Sequence, residues 1–323
     1  MSSGDSASVG ISDGVNSAPV SFESGLLPLI SKLVQGRVRT DQLARDHTTF
    51  AIGGPIRALV TVADHDELTH VVSRLDAEGQ QLRILGNGSN VLVGDAGPSG
   101  WIIKLGSGFK RIARTTEGVF VLGAGAALMP TARKISQEGF SGLEFAGGIP
   151  ATIGGAVYMN AGAHSAEISD RILAVKGVRF NGEEVEFSQR ELPWRYRSSG
   201  LPFDVIVTEV TLALAKGVPR EILSLCEHNL EERKARQPLT LPSAGSIFKN
   251  PRPDLAAGRV LEEGGAKTIK CGGAEVSQLH ANWIVNPCKT ATAKDVLEVI
   301  ERCKAIGKAS GIELEPEVRM WDV

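Results

Sequence analysis

A stretch rich in glycine and alanine at residues 146–162 most constrains how this chain can fold. Its seventeen residues include five glycines and four alanines and no charged side chain. Small side chains let a backbone approach its neighbour closely, so this stretch must lie tightly against another surface. That surface is either another element of the fold, as at a closely packed helix start, or something large and flat.

A second glycine-rich segment, GNGSN at residues 86–90, joins two short apolar runs at residues 82–85 and 91–93. We predict a strand, a tight loop and a second strand. Two glycines let consecutive backbone N–H groups face an anion, which suits a pyrophosphate, although such a loop is often only a turn. The full dinucleotide fingerprint, in which glycines open a long helix, is absent, and this disfavours a Rossmann site. Together the two segments favour a bound cofactor.

Short strands and helices follow one another irregularly, which predicts an α+β fold. Asp64 and Glu67 have the spacing of a capping box and predict a helix over residues 64–78 that ends at Gly79. Asn181-Gly182 is typical of a hairpin turn. The regular βαβ alternation of a doubly wound fold is missing. We expect further strands at residues 101–104, 119–122, 175–180 and 185–187, and a helix at residues 129–138.

A change of composition after Leu214 predicts a domain boundary. The 323 residues give room for two or three domains. Beyond the boundary we predict helices at residues 220–236 and 293–308 and a terminal strand at residues 312–320. Residues 1–21 are rich in Ser, Gly, Asp and Asn, and we expect them to form a disordered tail.

Charge and cysteine content argue against several functions. The 35 basic and 37 acidic residues give a net charge of −2, so no nucleic-acid partner is expected. The four cysteines form no CxxC pair, which argues against a metal site and a disulfide framework. No apolar run approaches the roughly 18 residues of a membrane span. We expect a cytoplasmic protein without membrane insertion, and a monomer, although no sequence feature determines the oligomeric state.

A hydroxyl, an ammonium and an amide group stand close together in the segment SAGSIFKNP. Ser246 lies in a glycine turn, three and four residues before Lys249 and Asn250. These groups can hold an anionic or amide-bearing substrate, yet serine is also common in surface turns. No GxSxG elbow marks Ser246 as a nucleophile.

Two further polar segments are candidates for binding or catalysis. Arg197 follows Tyr196 in YRSS, where a guanidinium suits a carboxylate, unless the segment is only a solvated basic loop. Alternation in LEPEVR would place Glu315, Glu317 and Arg319 on one face of a strand. Such a face is usually only solvated, so Glu317 alone predicts little.

Seven motifs together resemble the UDP-N-acetylenolpyruvoylglucosamine reductase family, from about residue 48 to residue 319. In chain order they read TTFAIGGP, GNGSN, LEFAGGIPATIGGAVYMNAGA, YRSS, SAGSIFKNP, GGAEVSQLHANWIVN and LEPEVR. The resemblance implies an α+β fold with a vanillyl-alcohol-oxidase-like (PCMH-type) FAD-binding domain and a smaller α+β substrate-binding domain. It assigns residues 57–216 to the FAD-binding domain and 217–311 to the substrate-binding domain. Residues 22–56 begin a small domain to which the strand at 312–323 returns.

The resemblance also implies an activity and a mechanism. Members reduce UDP-N-acetylglucosamine enolpyruvate to UDP-N-acetylmuramate in peptidoglycan precursor synthesis, with non-covalent FAD and with NADPH as electron donor. By this resemblance the reduced flavin gives a hydride to the vinyl carbon, Ser246 donates a proton, and Arg197 and Glu317 stabilise the enolate. Glu317 could hydrogen-bond the enolate only if burial raised its pKa.

Contact residues follow from the same resemblance. For the UDP-sugar they are Tyr196, Lys249, Asn250, Gln278 and Asn282. For FAD they are Ile52, Gly53, Gly86, Asn87, Gly88, Ser89, Asn90, Gly123, Ala124, Gly147, Ile149, Gly154, Gly155, Ala156 and Asn160.

The chain departs from the family pattern in small ways, and two other functions remain open. His164 stands where the family commonly has tyrosine, and the short stretch between Arg197 and Ser246 resembles the subclass without a substrate-covering insertion. Asn87 replaces a usual glycine, a mild change because asparagine tolerates positive φ. One alternative is a flavin oxidase of the same fold, against which SAGSIFKNP and LEPEVR argue. The other is a non-catalytic UDP-sugar sensor, which we would expect to lack the Ser246, Arg197 and Glu317 set.

Overall fold

Strands and helices are mixed along the chain, as an α+β fold requires. A computed structural model describes residues 25–323. The expected disordered tail at residues 1–21 lies outside the described residues. Within 25–323, no helix has the length and apolar character needed to cross a lipid bilayer.

The first part of the described chain forms a four-stranded sheet with two covering helices. Its elements are α1 (Leu27–Leu33), β1 (Val38–Arg39), β2 (Ala58–Val62), α2 (His65–Ala77), β3 (Leu82–Ile84) and β5 (Trp101–Leu105), while β4 (Val91–Val93) pairs elsewhere. The strand order is β1-β2-β5-β3, and only β1 is antiparallel to its neighbour. Apolar residues of both helices, such as Ile30 and Leu68, pack with Val60 and Ile103 in one core.

Helix α2 begins where the sequence predicts, with one difference at its cap. The carboxylate of Asp64 accepts a hydrogen bond of 3.0 Å from the backbone N–H of Glu67. The carboxylate of Glu67 accepts from Ala63 at 2.7 Å instead of from Asp64, and it also pairs with Arg37. The cap is therefore shared with a neighbouring element. Gly79, with a φ of +62°, follows the end of the helix as predicted.

The middle of the chain forms a five-stranded antiparallel sheet. Its elements are β6 (Ile112–Thr116), β7 (Val119–Gly123), α3 (Leu128–Gln137), β8 (Phe140–Ser141), α4 (Ile153–Tyr158), β9 (Gly162–Ala163), β10 (Ala166–Glu167), β11 (Ile172–Arg179), β12 (Glu184–Ser188), β13 (Val205–Ala213) and β14 (Ala215–Lys216). The order in the sheet is β12-β11-β13-β7-β6. Gly182, with a φ of +91°, turns the chain between β11 and β12, which confirms the predicted hairpin. Helices α3 and α4 share its core.

The last third of the chain packs around a separate core. Its elements are α5 (Pro219–Arg236), α6 (Ala257–Glu263), β15 (Lys270–Cys271), β16 (Ala274–Val276), β17 (Ile284–Val285) and α7 (Ala293–Ala309). Helix α5 lies against α3, one of the helices that pack with the five-stranded sheet. Phe50 and Ile52 join the core of this last third, whereas Ile30 belongs to the core of the first sheet. The predicted boundary after residue 216 stays a prediction.

Residues 315–322 form a strap that contacts the last third of the chain at one end and the first part of the chain at the other. The predicted strand at 312–320 is wrong in extent, because regular pairing covers only β18 (Arg319–Trp321), parallel to β4. Ahead of β18, Pro316 forms only an isolated antiparallel bridge with Phe248. Before it, the backbone N–H of Lys249 donates to Glu315 O at 2.9 Å. After β18, the carboxylate of Asp322 accepts from the N–H of Ser99 at 3.0 Å and fixes the end of the strap.

Candidate active site

An open cavity of about 660 Å³ brings most of the predicted catalytic and substrate residues together. The turn at residues 195–198, the segment 246–250, helix α6 and the strap surround it. The predicted residues that line it are Tyr196, Arg197, Ser246, Asn250, Asn282 and Glu317. Side chains from four sequence-distant segments therefore converge on one space.

Arg197 and Glu317 face each other in this cavity. Nε of Arg197 lies 2.8 Å from Oε1 of Glu317, and their side chains are only 20% and 13% exposed. Arg197 occupies the third position of a tight turn in which Arg195 and Ser198 exchange backbone hydrogen bonds of 2.9 and 3.0 Å. Its φ of +59° is unusual for a residue other than glycine, and such strain concentrates at functional sites.

Burial raises the pKa of Glu317 above the ordinary value of a glutamate, although Arg197 and then Lys249 act in the opposite direction. Removing a carboxylate from water penalises its charged form, while a nearby cation favours it. The raised pKa is what the sequence analysis requires of a glutamate that donates a hydrogen bond.

Ser246 is held between two neighbouring chain segments. It pairs with Trp283 on one side, and the next residue, Ile247, accepts a hydrogen bond of 2.7 Å from the N–H of Glu317 on the other. Asn282 is 4% exposed and exchanges hydrogen bonds of 2.9 and 2.8 Å with the backbone of Phe248. Within residues 25–323, the Ser246 hydroxyl makes no side-chain hydrogen bond. It is thus available to a ligand in the cavity.

Besides Asn282, three more predicted substrate residues use their side chains within the protein. Nζ of Lys249 pairs with Glu315 at 2.6 Å, and the amide of Gln278 donates to Lys267 O at 2.7 Å. Oδ1 of Asn250 accepts from the N–H of Ala257 at 3.1 Å at the start of α6. Of these three, only Asn250 lines the cavity. Their contacts with substrate stay predictions.

Sequence reasoning missed Arg233, a half-buried arginine on α5. It donates to Gly147 O at 3.0 Å and to the side chain of Gln237 at 2.9 Å. Burial lowers the pKa of Arg233 to about 10, with the charge of Arg197 acting in the same direction. Within the described chain no carboxylate forms an ion pair with Arg233. Its position in the charged run EERKAR is typical of an exposed helix face, so no local signal identifies it.

The loop at residues 86–90 has the features of an anion cradle. Within the described residues, its five consecutive backbone N–H groups find no protein acceptor. A Cβ at Gly86 would lie 2.7 Å from Oγ1 of Thr152, which caps α4. The Asn87 amide donates to Pro150 O at 3.1 Å and joins the two glycine-rich segments. Asn87 does not have positive φ, whereas Gly88 does, so its replacement of glycine is less demanding than predicted. These free donors fit a pyrophosphate.

Several predicted cofactor residues make hydrogen bonds within the protein. Ala124 O accepts from the N–H of Gly154 at 2.8 Å, which joins the end of β7 to α4. The Asn90 amide donates to Glu317 O at 3.3 Å, so it holds the strap. Asn160 is fully buried, and both of its amide hydrogens are used within the protein. The roles of the set in binding a cofactor stay predictions, for Ile52, Gly53, Gly123, Gly147, Ile149, Gly155 and Ala156 as well.

We expect Gly88→Ala to abolish cofactor binding. A Cβ at Gly88 would lie 2.4 Å from His47 O, and the φ of +64° adds about 1–2 kcal/mol of backbone strain. The loop must move to relieve the contact. Gly79→Ala is a matched control, because Gly79 has a φ of +62° but no atom within 4 Å of a Cβ. Visible absorbance per protein and thermal unfolding measure the two effects. Full cofactor content in Gly88→Ala would contradict the assignment of the loop.

Comparison with known proteins agrees with this arrangement. Residues 56–188 match a family described as FAD binding domain, and residues 237–321 match the C-terminal domain of UDP-N-acetylenolpyruvoylglucosamine reductase. The chain is 40% identical over 287 residues to the UDP-N-acetylenolpyruvoylglucosamine reductase of Moorella thermoacetica, covering 88% of this chain and 93% of the relative. It is 40% identical over 289 residues to the reductase of Anoxybacillus flavithermus, covering 88% and 94%.

A solved structure is similar over nearly its whole length. It is the crystal structure of UDP-N-acetylenolpyruvylglucosamine reductase from Thermus caldophilus, with 37% sequence identity and a TM-score of 0.77. The match covers 88% of this chain and 99% of the Thermus chain. The two matched family domains include the glycine-rich segments at residues 86–90 and 146–162, and also Ser246 and Glu317.

Proposed function

Because this chain belongs to the UDP-N-acetylenolpyruvoylglucosamine reductase family, an FAD-containing oxidoreductase family, we propose that it reduces UDP-N-acetylglucosamine enolpyruvate to UDP-N-acetylmuramate with electrons from NADPH. The observation that carries the proposal is the attachment of the loop at residues 86–90 to the strap that carries Glu317. The loop that would hold the FAD pyrophosphate ends at Asn90, whose amide and carbonyl bond to Glu317 and Arg319 at 3.3 and 3.0 Å. The backbone on both sides of the Glu317 carboxylate is therefore attached to the loop that would hold the cofactor.

The residues of the two glycine-rich segments would hold FAD. When bound, FAD supplies hydride transfer from the nicotinamide to the enolpyruvyl group. The backbone N–H groups of residues 86–90 would bind its pyrophosphate, and the small residues after Gly147 leave space for a flat ring. The small residues of this segment would provide space for the cofactor and would take no part in the chemical step.

Arg197 would bind the carboxylate of the enolpyruvyl group. Its guanidinium already lies against Glu317, and a substrate carboxylate placed beside that pair brings a second negative charge. Like charges favour protonation of one partner, so the substrate itself would raise the pKa of Glu317 further. The neutral Glu317 then donates a hydrogen bond to the carboxylate as negative charge grows on it during reduction.

Ser246 would deliver the proton to the α-carbon of the substrate. It stands on the segment that pairs with the strap, so its hydroxyl and the Glu317 carboxyl line the same cavity. A serine hydroxyl is a weak acid and needs help from a neighbouring cation or from water. The ammonium of Lys249, three residues away, pairs with Glu315, and its charge also acts on Glu317.

Arg233 lies on α5 close enough to Arg197 for the two charges to interact, although it does not itself line the cavity. A half-buried cation that lacks a carboxylate partner in the described chain favours an anionic ligand. The diphosphate and the carboxylate of the substrate are both anions. We therefore include Arg233 among the groups that attract the UDP-sugar. A cytoplasmic location and a monomeric state complete the proposal.

The test follows the visible absorbance of the purified protein in the absence of oxygen. NADPH should bleach the flavin band, and UDP-N-acetylglucosamine enolpyruvate should then restore it. Bleaching without recovery would keep the electron donor and contradict the substrate. A colourless protein that cannot be reconstituted with FAD would contradict the proposal as a whole.

Oxidation of the reduced protein by the substrate should slow as pH rises through the pKa of Glu317. Burial raises this pKa, so the protonated form that donates a hydrogen bond persists to higher pH than in an exposed glutamate. The same shift stabilises the fold below the ordinary glutamate pKa, and that contribution is lost as pH rises through the raised pKa. Glu317→Gln stays neutral and should flatten this part of the pH profile, measured by rapid mixing. An unchanged profile in Glu317→Gln would show that another group titrates.

A further inference from the structure

Asn160 is buried in a position that uses its whole side chain. It is 0% exposed, and its φ of +42° places it in the left-handed region, which asparagine tolerates better than most residues. Nδ2 donates to Oε2 of Glu167 at 2.7 Å and to Arg195 O at 3.1 Å. Oδ1 accepts from the N–H of Ser169 at 3.3 Å. A side chain without exposed surface and with both donors used has none left for a cofactor or a substrate.

One of these bonds fixes the turn that carries Arg197. Arg195 O is the carbonyl at the start of that turn and also accepts its closing hydrogen bond from Ser198 at 3.0 Å. On the other side of the turn, Oγ of Ser199 donates to Tyr158 O at 3.1 Å. Both anchors come from the end of α4 and the chain just after it. Both ends of the turn are therefore held by one segment, residues 158–160.

The guanidinium of Arg197 is held by the same neighbourhood. It donates to Gly162 O at 3.2 Å, and Gly162 pairs with Glu167 in the hairpin of β9 and β10. Glu167 in turn accepts the second hydrogen bond of Asn160. Asn160 thus connects the backbone of the strained turn with the hairpin on which the guanidinium rests. Loss of this connection would release the turn and the side chain together.

We propose that Asn160 is a positioning residue that holds the Arg195–Ser198 turn so that Arg197 faces Glu317, an inference that rests on the proposed function. An amide is needed because the side chain must donate twice and accept once. A carboxylate of the same shape would face Glu167 and a backbone carbonyl, and both contacts would become repulsive. Fully connected networks of this kind keep a reacting group in its productive geometry.

The test compares the two half-reactions of Asn160→Asp per bound flavin. Reduction by NADPH should stay near the wild-type rate, and oxidation by UDP-N-acetylglucosamine enolpyruvate should slow on the order of 100-fold, as for a small misplacement. The pH at which oxidation slows should move upward, because a displaced Arg197 no longer lowers the pKa of Glu317. Equal loss in both half-reactions, or a wild-type rate and pH profile, would overturn the proposal.

A double variant separates lost anchorage from simple repulsion. In Asn160→Asp combined with Glu167→Gln, the amide introduced at position 167 can donate to the carboxylate introduced at position 160, but no donor returns to Arg195 O. The slow oxidation should therefore persist, and full recovery would overturn the positioning role. Asn286→Asp is a matched control, since Asn286 is also 0% exposed and bonds two carbonyls and one N–H, none of them in this turn. It should leave the pH profile unchanged.

Two further measurements test the inference if Asn160→Asp does not fold or if the proposed function is wrong. If Asn160→Asp does not fold, Ser199→Ala loosens the same turn from its other end and should give a smaller effect of the same kind. A wild-type protein whose flavin the substrate does not reoxidise would contradict the proposed function instead. Crystal structures then decide the inference alone: Nε of Arg197 should leave Oε1 of Glu317 in Asn160→Asp, and an unchanged contact would overturn it.

Discussion

Replacing Ser246 with alanine should slow oxidation of the reduced protein by UDP-N-acetylglucosamine enolpyruvate by about 10²- to 10⁴-fold, the usual contribution of a general acid. Reduction by NADPH should remain near the wild-type rate, because that step needs no proton from the cavity wall. The backbone of Ser246 pairs with Trp283, and alanine preserves that pairing. Rapid mixing of each half-reaction measures both rates.

Ser243→Ala is the control for this prediction. Ser243 lies in the same segment and is 7% exposed, but it does not line the cavity. Its removal should leave both half-reactions unchanged. If Ser246→Ala slowed both half-reactions equally, the hydroxyl would be assigned to binding or folding instead of proton donation.

Arg197→Lys should slow the same oxidation by about 10²- to 10³-fold, in the range seen when one group that stabilises developing negative charge is removed. The guanidinium reaches Gly162 O and Glu317 at once, at 3.2 and 2.8 Å. An ammonium is a point charge on a flexible stem and cannot span both contacts with the same geometry. The positive charge itself remains, so reduction by NADPH should change little.

Arg179→Lys provides a comparison in which an arginine paired with a carboxylate outside the cavity is replaced by lysine. Nη1 of Arg179 donates to both carboxylate oxygens of Asp204, at 3.0 and 2.8 Å, outside the cavity. This variant should cost a small amount of stability and no activity. Wild-type oxidation in Arg197→Lys would show that charge alone suffices at this position.

Elements with a strong local pattern can be predicted from the sequence. The cap of α2, the turn at Gly182 and the periodic apolar stripe of α7 are all local features, and each is found close to its predicted position. The predicted terminal strand is too long, because alternation of polar and apolar residues does not reveal where a pairing partner ends. Pro316 forms only an isolated bridge with Phe248, and regular pairing begins at Arg319.

The candidate site can be predicted only in part. The motifs indicate Ser246, Arg197 and Glu317, but no local rule says that segments so far apart share a cavity, which the structure shows. Arg233 and Asn160 act through contacts with distant backbone carbonyls, and sequence spacing does not encode such contacts. The motif in which Asn160 lies therefore indicates a cofactor contact, whereas the side chain is used inside the protein.

The strap has a consequence for the biosynthesis of the protein. Domains fold from the N-terminus as a chain leaves the ribosome, so the sheets that would hold FAD can form before Glu317 is made. Glu317 and the strand that pairs with β4 follow both sheets and the loop at residues 86–90 in the chain, so they are made after them. A nascent chain at that stage would therefore contain the residues that would hold FAD but not the Glu317 carboxylate. A chain that stopped before the strap would keep the residues that would hold FAD and would lack Glu317.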